Sequence, residues 1–250
     1  MDISCKRTAV QMNSFSSSDN PRGGYRTPGY TSQFNQYGQS PLVPGTPAPA
    51  PQQPRQRGGI KVGLRIAVGF VIVIWAVFIA TYLTGGFLSN FGIHPLDPSS
   101  LPFILTSPLL HANLSHIISN TMAGAVFAFL VGCSGKRVFW EVTLICTVIG
   151  GFGTWVFGGI GTNHIGASGV IYGWLAYLIV RGIFNKSLRE ILLGVVLAFT
   201  YSGLIWGVLP ADPSVSWQGH LFGAIGGILC GIFLTSDDPI RPEKTGVQQG

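Results

Sequence analysis

Four side chains suited to acyl transfer stand at the entries of three apolar runs: His116 and Asn120 in HANLSHIISN, Ser168 in HIGASGVIYG, and His220 in WQGHLFGAIGG. Serine attacks a carbonyl only when a base takes its proton, and a neutral imidazole is the usual base. The tetrahedral species that follows carries an oxygen anion in need of donors. His116 and Asn120, at i and i+4, share one face of a helix and both can donate; the backbone N–H of Ser168 is a third donor. No carboxylate accompanies them: Asp97 and Asp212 fall in loops, and Glu141 lies one turn after Arg137. The expected form is a dyad, with Ser168 as nucleophile and His220 as base.

The elements that must position these residues are membrane spans. Only 10% of the 250 residues are charged and 47% are apolar, whereas a soluble domain carries about a quarter charged residues. Runs long enough to cross a bilayer as helix recur. We read six spans, at 66–83, 114–132, 138–158, 168–180, 191–209 and 218–235. The expected fold class is all-α, a polytopic six-helix membrane bundle over 61–236. It is flanked by a disordered Pro/Gly/Ser/Gln-rich tail over 1–60 and a short tail over 237–250. The tail cannot bury enough apolar surface to offset its ordering entropy; its proline-rich part reads as a linker rather than a ligand for an aromatic groove. With no basic-then-apolar leader before it, the first span is expected to act as an uncleaved anchor. Cys5, Cys133, Cys146 and Cys230 are too scattered for a disulfide framework or a metal site, and read as small core residues.

Charge sets an expected orientation. All 15 Lys and Arg residues fall in four places: the segment through Arg65, Lys136–Arg137, Arg181 to Arg189, and Arg241–Lys244. Six alternating spans put all four on one face, the cytoplasmic one by the positive-inside rule. The sequence thus predicts a multi-pass protein of the cell membrane with both termini cytoplasmic. The net charge of +6 is then topology and not a nucleic-acid footprint.

In that topology Ser168, His220, His116 and Asn120 all enter their spans from the outer face, at a common depth. Thirteen residues from Ser168 to Arg181 cover about 20 Å of a core about 30 Å thick. With Arg181 at the cytoplasmic boundary, Ser168 lies on the order of 10 Å inside the outer surface. Gly169 and Gly173 on the fourth span, and Gly223 and Gly227 on the sixth, have the small-xxx-small spacing that lets helix backbones approach in lipid. Packing those two ridges together would bring Ser168 within reach of His220. Tyr172 lies one turn after Ser168 on the same face, where it can support the imidazole.

These motifs resemble the rhomboid intramembrane serine proteases: GASG opening a span, GH followed by glycine ridges, and H-x4-H-x3-N before the second span. The resemblance covers about 62–236. It implies a rhomboid-like bundle in which Ser168 is nucleophile, His220 base, His116 and Asn120 the oxyanion donors, and Tyr172 the support beneath His220. It further implies that His111 is a structural polar residue and that Gly166 shapes the backbone near the nucleophile. Activity would be cleavage in or beside transmembrane segments of protein substrates within the lipid bilayer, with no cofactor and no metal. One feature departs: the Trp-Arg pair of many rhomboids is absent from the loop after the first span, where LPFILTSPLLH stands instead. That loop is therefore expected to be held differently.

Other classes fit less well. A secondary transporter would show repeated halves and mid-span charges, and neither is seen. A catalytically silent rhomboid-like chaperone or binding protein is the alternative, against which the intact Ser–His pair argues. The outer histidines lack an HExxH and acidic company, so no metal is expected. His164 reads as a loop residue bonding locally and His94 as an exposed bystander.

Overall fold

The computed structural model describes residues 58–212 and 214–234. The expected terminal tails, with Cys5, therefore fall outside the described residues, apart from Gly58–Ile60. Among the described residues six α-helices form an all-α membrane bundle: α1 (Ile60–Leu83), α2 (Leu114–Cys133), α3 (Lys136–Phe157), α4 (Ser168–Phe184), α5 (Leu188–Thr200) and α6 (Trp217–Phe233). The first three are long and apolar enough to cross a bilayer. α4 and α6 are apolar but have 17 residues each, about 25 Å of helix against a hydrocarbon core of about 30 Å.

α4 is the central helix. From Val170 to Leu178 only Ala176 escapes full burial, as befits a helix apolar on every side. Its most extensive partner is α6, and the two meet backbone to backbone. A Cβ built on Gly227 would lie 2.7 Å from the carbonyl carbon of Gly173, and one on Gly223 would lie 2.8 Å from that of Gly169. Any larger residue would wedge the helices apart. α3 also packs on α6, where a Cβ on Gly150 would stand 3.3 Å from Cα of Gly223. Cys146 and Cys230 are buried at this junction as free thiols, and Cys133 is half-buried.

The stretch expected as one span over 191–209 is broken. α5 stops at Thr200, and a 3-10 helix, Ser202–Val208, leaves it at 69°. Thr200, Tyr201, Ser202 and Gly203 are all weak helix formers, and together they end the α-helix. The ring of Tyr201 pins the corner edge-on against Phe127, centroids 4.7 Å apart.

Arg181, the expected cytoplasmic boundary of the fourth span, is enclosed by protein. It is buried, and its guanidinium donates to Ser134, the C-cap of α2, and to Glu190 in the first turn of α5. Enclosure by α2 and α5 satisfies the charge where solvent would otherwise be needed.

The loop between α1 and α2 winds through three 3-10 helices, Phe87–Phe91, Pro98–Ile104 and Ser107–Leu109, two of them opened by proline. The side-chain hydroxyl and the amide of Ser99 bond Asp97 and hold its carboxyl below the usual range. The loop has its own ties to the bundle. Ile93 and His164 exchange backbone bonds at 3.0 and 2.9 Å, Trp155 donates to the Asp97 carbonyl at 2.9 Å, and Asn163 donates to the Ser89 carbonyl at 2.9 Å. His94 is half-buried rather than an exposed bystander: its backbone brackets the buried Ser100 hydroxyl, which donates to the His94 carbonyl at 2.7 Å.

Candidate active site

Ser168 opens α4. Its N-cap, Ala167, has no side-chain acceptor to offer, so the first N–H groups of the helix keep free capacity and the positive end of the helix dipole. Gly166, with φ 128°, turns the incoming loop into the helix. A side chain at 166 would also stand 2.6 Å from Nε2 of His116 and 3.7 Å from Nδ2 of Asn120. Glycine is thus needed there twice, for the turn and for the approach of the α2 side chains.

His220 lies in the first turn of α6, carried to Ser168 by the glycine contact below it. Its Nε2 is 2.8 Å from Ser168 Oγ. Its Nδ1 is 2.8 Å from the carbonyl oxygen of Gly207 in the 3-10 helix. A carbonyl only accepts, so Nδ1 carries the proton and the Nε2 lone pair faces the serine, whose hydroxyl donates to it. Tyr172 lies flat beneath the imidazole, centroids 4.1 Å apart and planes 7° from parallel. Its hydroxyl donates to the Leu204 carbonyl at 2.7 Å. Ring and tautomer are therefore both held by backbone carbonyls of one short segment.

Asn120 is buried, and its Nδ2 has no hydrogen-bond partner. Orphaned buried donors are rare and call for a reason; this one borders Gly166, next to the opening of α4. His116 is half-buried beside it, its ring edge-on to His111 with centroids 5.1 Å apart. His111 is almost wholly buried with both ring nitrogens unpartnered.

Sequence reasoning missed two kinds of group. Gly207 and Leu204 act only through carbonyls, which no residue type advertises. Gly207 is still glycine for a reason, since a Cβ there would stand 3.0 Å from His220 Nδ1 and collide with the Tyr172 hydroxyl. The second is His164. It bonds Thr162 locally at 2.7 Å, and it also reaches Ser216, the N-cap of α6, through Nδ1 at 2.8 Å. It therefore joins the loop before Ser168 to the start of the helix that bears His220. A cavity of about 40 Å³ lies against Ser168, His220, His164, Ser216 and Thr154, polar and roomy enough to hold water. Among the described residues no three His, Cys, Asp or Glu are grouped to hold a metal ion.

Comparison with known proteins places this arrangement. The model of the rhomboid domain matches residues 98–237, from the loop before α2 through α6. The chain belongs to the rhomboid family. An uncharacterized protein of Mycobacterium tuberculosis is 37% identical over 202 residues, covering 78% of this chain and 84% of the relative. One from Mycobacterium leprae is 38% identical over 189 residues, 72% of this chain and 73% of the relative. A Bacillus subtilis protein named as a candidate rhomboid protease is 30% identical over 129 residues, 50% of this chain and 63% of the relative. The rhomboid domain and its apolar helices make this a membrane protein of a family of intramembrane proteases.

Proposed function

We propose that this rhomboid is an active serine endopeptidase that cleaves other membrane proteins in or beside their transmembrane segments. One observation carries the reading: a serine hydroxyl 2.8 Å from an imidazole nitrogen whose opposite nitrogen is anchored to a carbonyl. That is the geometry a general base needs toward a nucleophile. In the proposed reaction Ser168 Oγ bonds to the scissile carbonyl carbon as its proton passes to His220 Nε2. The carbonyl π pair becomes the oxyanion, which accepts from the Ser168 backbone N–H, Asn120 Nδ2 and the His116 ring. The C–N bond then breaks, His220 returns the proton to the leaving amine, and water from the polar cavity hydrolyses the acyl-enzyme by the same steps. No cofactor takes part.

The basic-residue pattern supports an orientation with both termini cytoplasmic in the cell membrane, the catalytic domain over 61–236, and Ser168 nearer the external face. A substrate helix would unwind locally there, because its carbonyls are tied up in i→i−4 bonds. The test uses the full chain in lipid with a tagged single-span substrate. Ser168→Ala and His220→Ala should each remove cleavage, and Ser168→Ala should also remove labelling by a fluorophosphonate probe, with both variants folded as wild type. Undiminished cleavage in either variant refutes the assignment, and a wild type that neither cleaves nor takes up the probe favours a non-catalytic binding role.

A further inference from the structure

A groove of about 960 Å³ opens between α1 and α3. Its walls are helical stripes, Val62–Ile66–Gly69–Val73 on α1 and Phe139–Thr143–Thr147 on α3, with Trp174 of α4 at its back. The wall is chemically inert. The Thr143 hydroxyl is already engaged, donating to the Phe139 carbonyl at 2.6 Å and accepting from Trp174 Nε1 at 3.0 Å. One end is closed by Leu105, Pro108 and Leu109 from the loop before α2; the other carries Arg65, Lys136 and the exposed Trp140. Neither Arg65 nor Lys136 has an acidic partner among the described residues, whereas the neighbouring Arg137 pairs with Glu141 at 3.1 Å.

Length and charge together identify an occupant. Lys136 and Thr147 are eleven residues apart on α3, about 16 Å of helix, which matches one leaflet, half of a hydrocarbon core about 30 Å thick. The groove is thus one acyl layer deep, apolar along its length, with two unmatched cations and a tryptophan at the level of the headgroups. A transmembrane polypeptide would need a groove about twice as deep, with no stop at the loop. We propose that this groove is a binding site for an anionic diacyl phospholipid, its tails lying between α1 and α3 and its phosphate held by Arg65 and Lys136.

The test is lipid retention by native mass spectrometry of the full chain, extracted from bilayers of equal phosphatidylglycerol and phosphatidylcholine. Wild type should keep the anionic lipid about thirtyfold over the zwitterionic one, the preference expected for two cations at about 1 kcal/mol each. Arg65→Gln with Lys136→Gln should erase the preference. Gly69→Leu, where a Cβ meets nothing within 4 Å, should fill the groove and reduce retention of both lipids with the cations intact. Arg65 and Lys136 are exposed and position 69 is open, so all variants should melt as wild type; if the double variant misfolds, Gly69→Leu alone decides. Equal retention by wild type, preference surviving the double variant, or retention surviving Gly69→Leu would each overturn the proposal. So would displacement of the lipid by millimolar inorganic phosphate, which would leave only an anion site. A photocrosslinker at position 69 that captures protein in place of lipid would overturn it as well.

Discussion

The seam between α4 and α6 and the bent segment from α5 to Val208 serve the same histidine by opposite means. The seam is glycine against glycine, with backbones in contact at Gly173–Gly227 and Gly169–Gly223. Nothing along it can shift without a collision, and it fixes how far Ser168 stands from His220. The bent segment is lightly packed: Ser202, Ile205 and Trp206 are exposed and none of its 3-10 residues is fully buried. Yet it supplies the carbonyls of Gly207 and Leu204 that orient His220 and Tyr172. Distance is set by close packing, and ring orientation by two hydrogen bonds from a lightly packed edge. The two should therefore fail differently.

Gly223→Val attacks the seam and should have the largest effect. The added atoms meet the Gly169 carbonyl, and overpacking a tight contact costs about 1–3 kcal/mol or more. We expect a lower Tm in detergent and no cleavage; a variant that keeps both would show the seam to be compliant. Asn120→Ala leaves seam and bend alone and removes the orphaned donor. We expect kcat to fall about 10²–10³-fold with KM little changed, and a loss confined to KM would remove Asn120 from the oxyanion role. Gly207→Ala attacks the bend. Its methyl group would push on the Tyr172 hydroxyl and His220 Nδ1, and a shift near 1 Å costs on the order of 10²-fold in rate. Tm should stay near wild type, and a fall as large as that of Gly223→Val would erase the distinction between the two regions. Ser216→Ala removes only the bond to His164. A neutral hydrogen bond is worth about 0.5–1.5 kcal/mol, so kcat should drop by less than tenfold. A null result in both Tm and turnover would show that the link between loop and helix is idle.

The same contrast explains what could be read from the sequence. Helices appeared because their apolar runs are long, and α4 and α6 were marked further by glycines at four-residue spacing. Ser168, His220, His116 and Asn120 drew notice because polar groups at membrane depth are costly; the structure puts the first two in contact and leaves Asn120 without a partner, while their chemistry stays a proposal. The bend at Tyr201 was illegible because Thr200 to Gly203 are weak rather than forbidden in a helix, and hydropathy continues through them. Gly207 was illegible because a carbonyl belongs to every residue. The long-range role of His164 is hidden in the sequence because its partner Ser216 lies 52 positions away, near only once α6 has docked. The loop over 84–113 lacks the Trp-Arg pair of many rhomboids, and one of the ties that hold it, a backbone exchange between Ile93 and His164, leaves no mark in side-chain identity.

The enclosed guanidinium of Arg181 bears on how α5 is held. Ser134 and Glu190 reach it from α2 and α5, and Tyr177 from its own helix, so these partners come together only in the packed bundle. Breaking a buried charged pair by removing one partner typically costs about 3–5 kcal/mol, so the carboxylate of Glu190 favours docking of the first turn of α5. That ionic anchor lies at the end of α5 opposite the bend whose carbonyl orients His220.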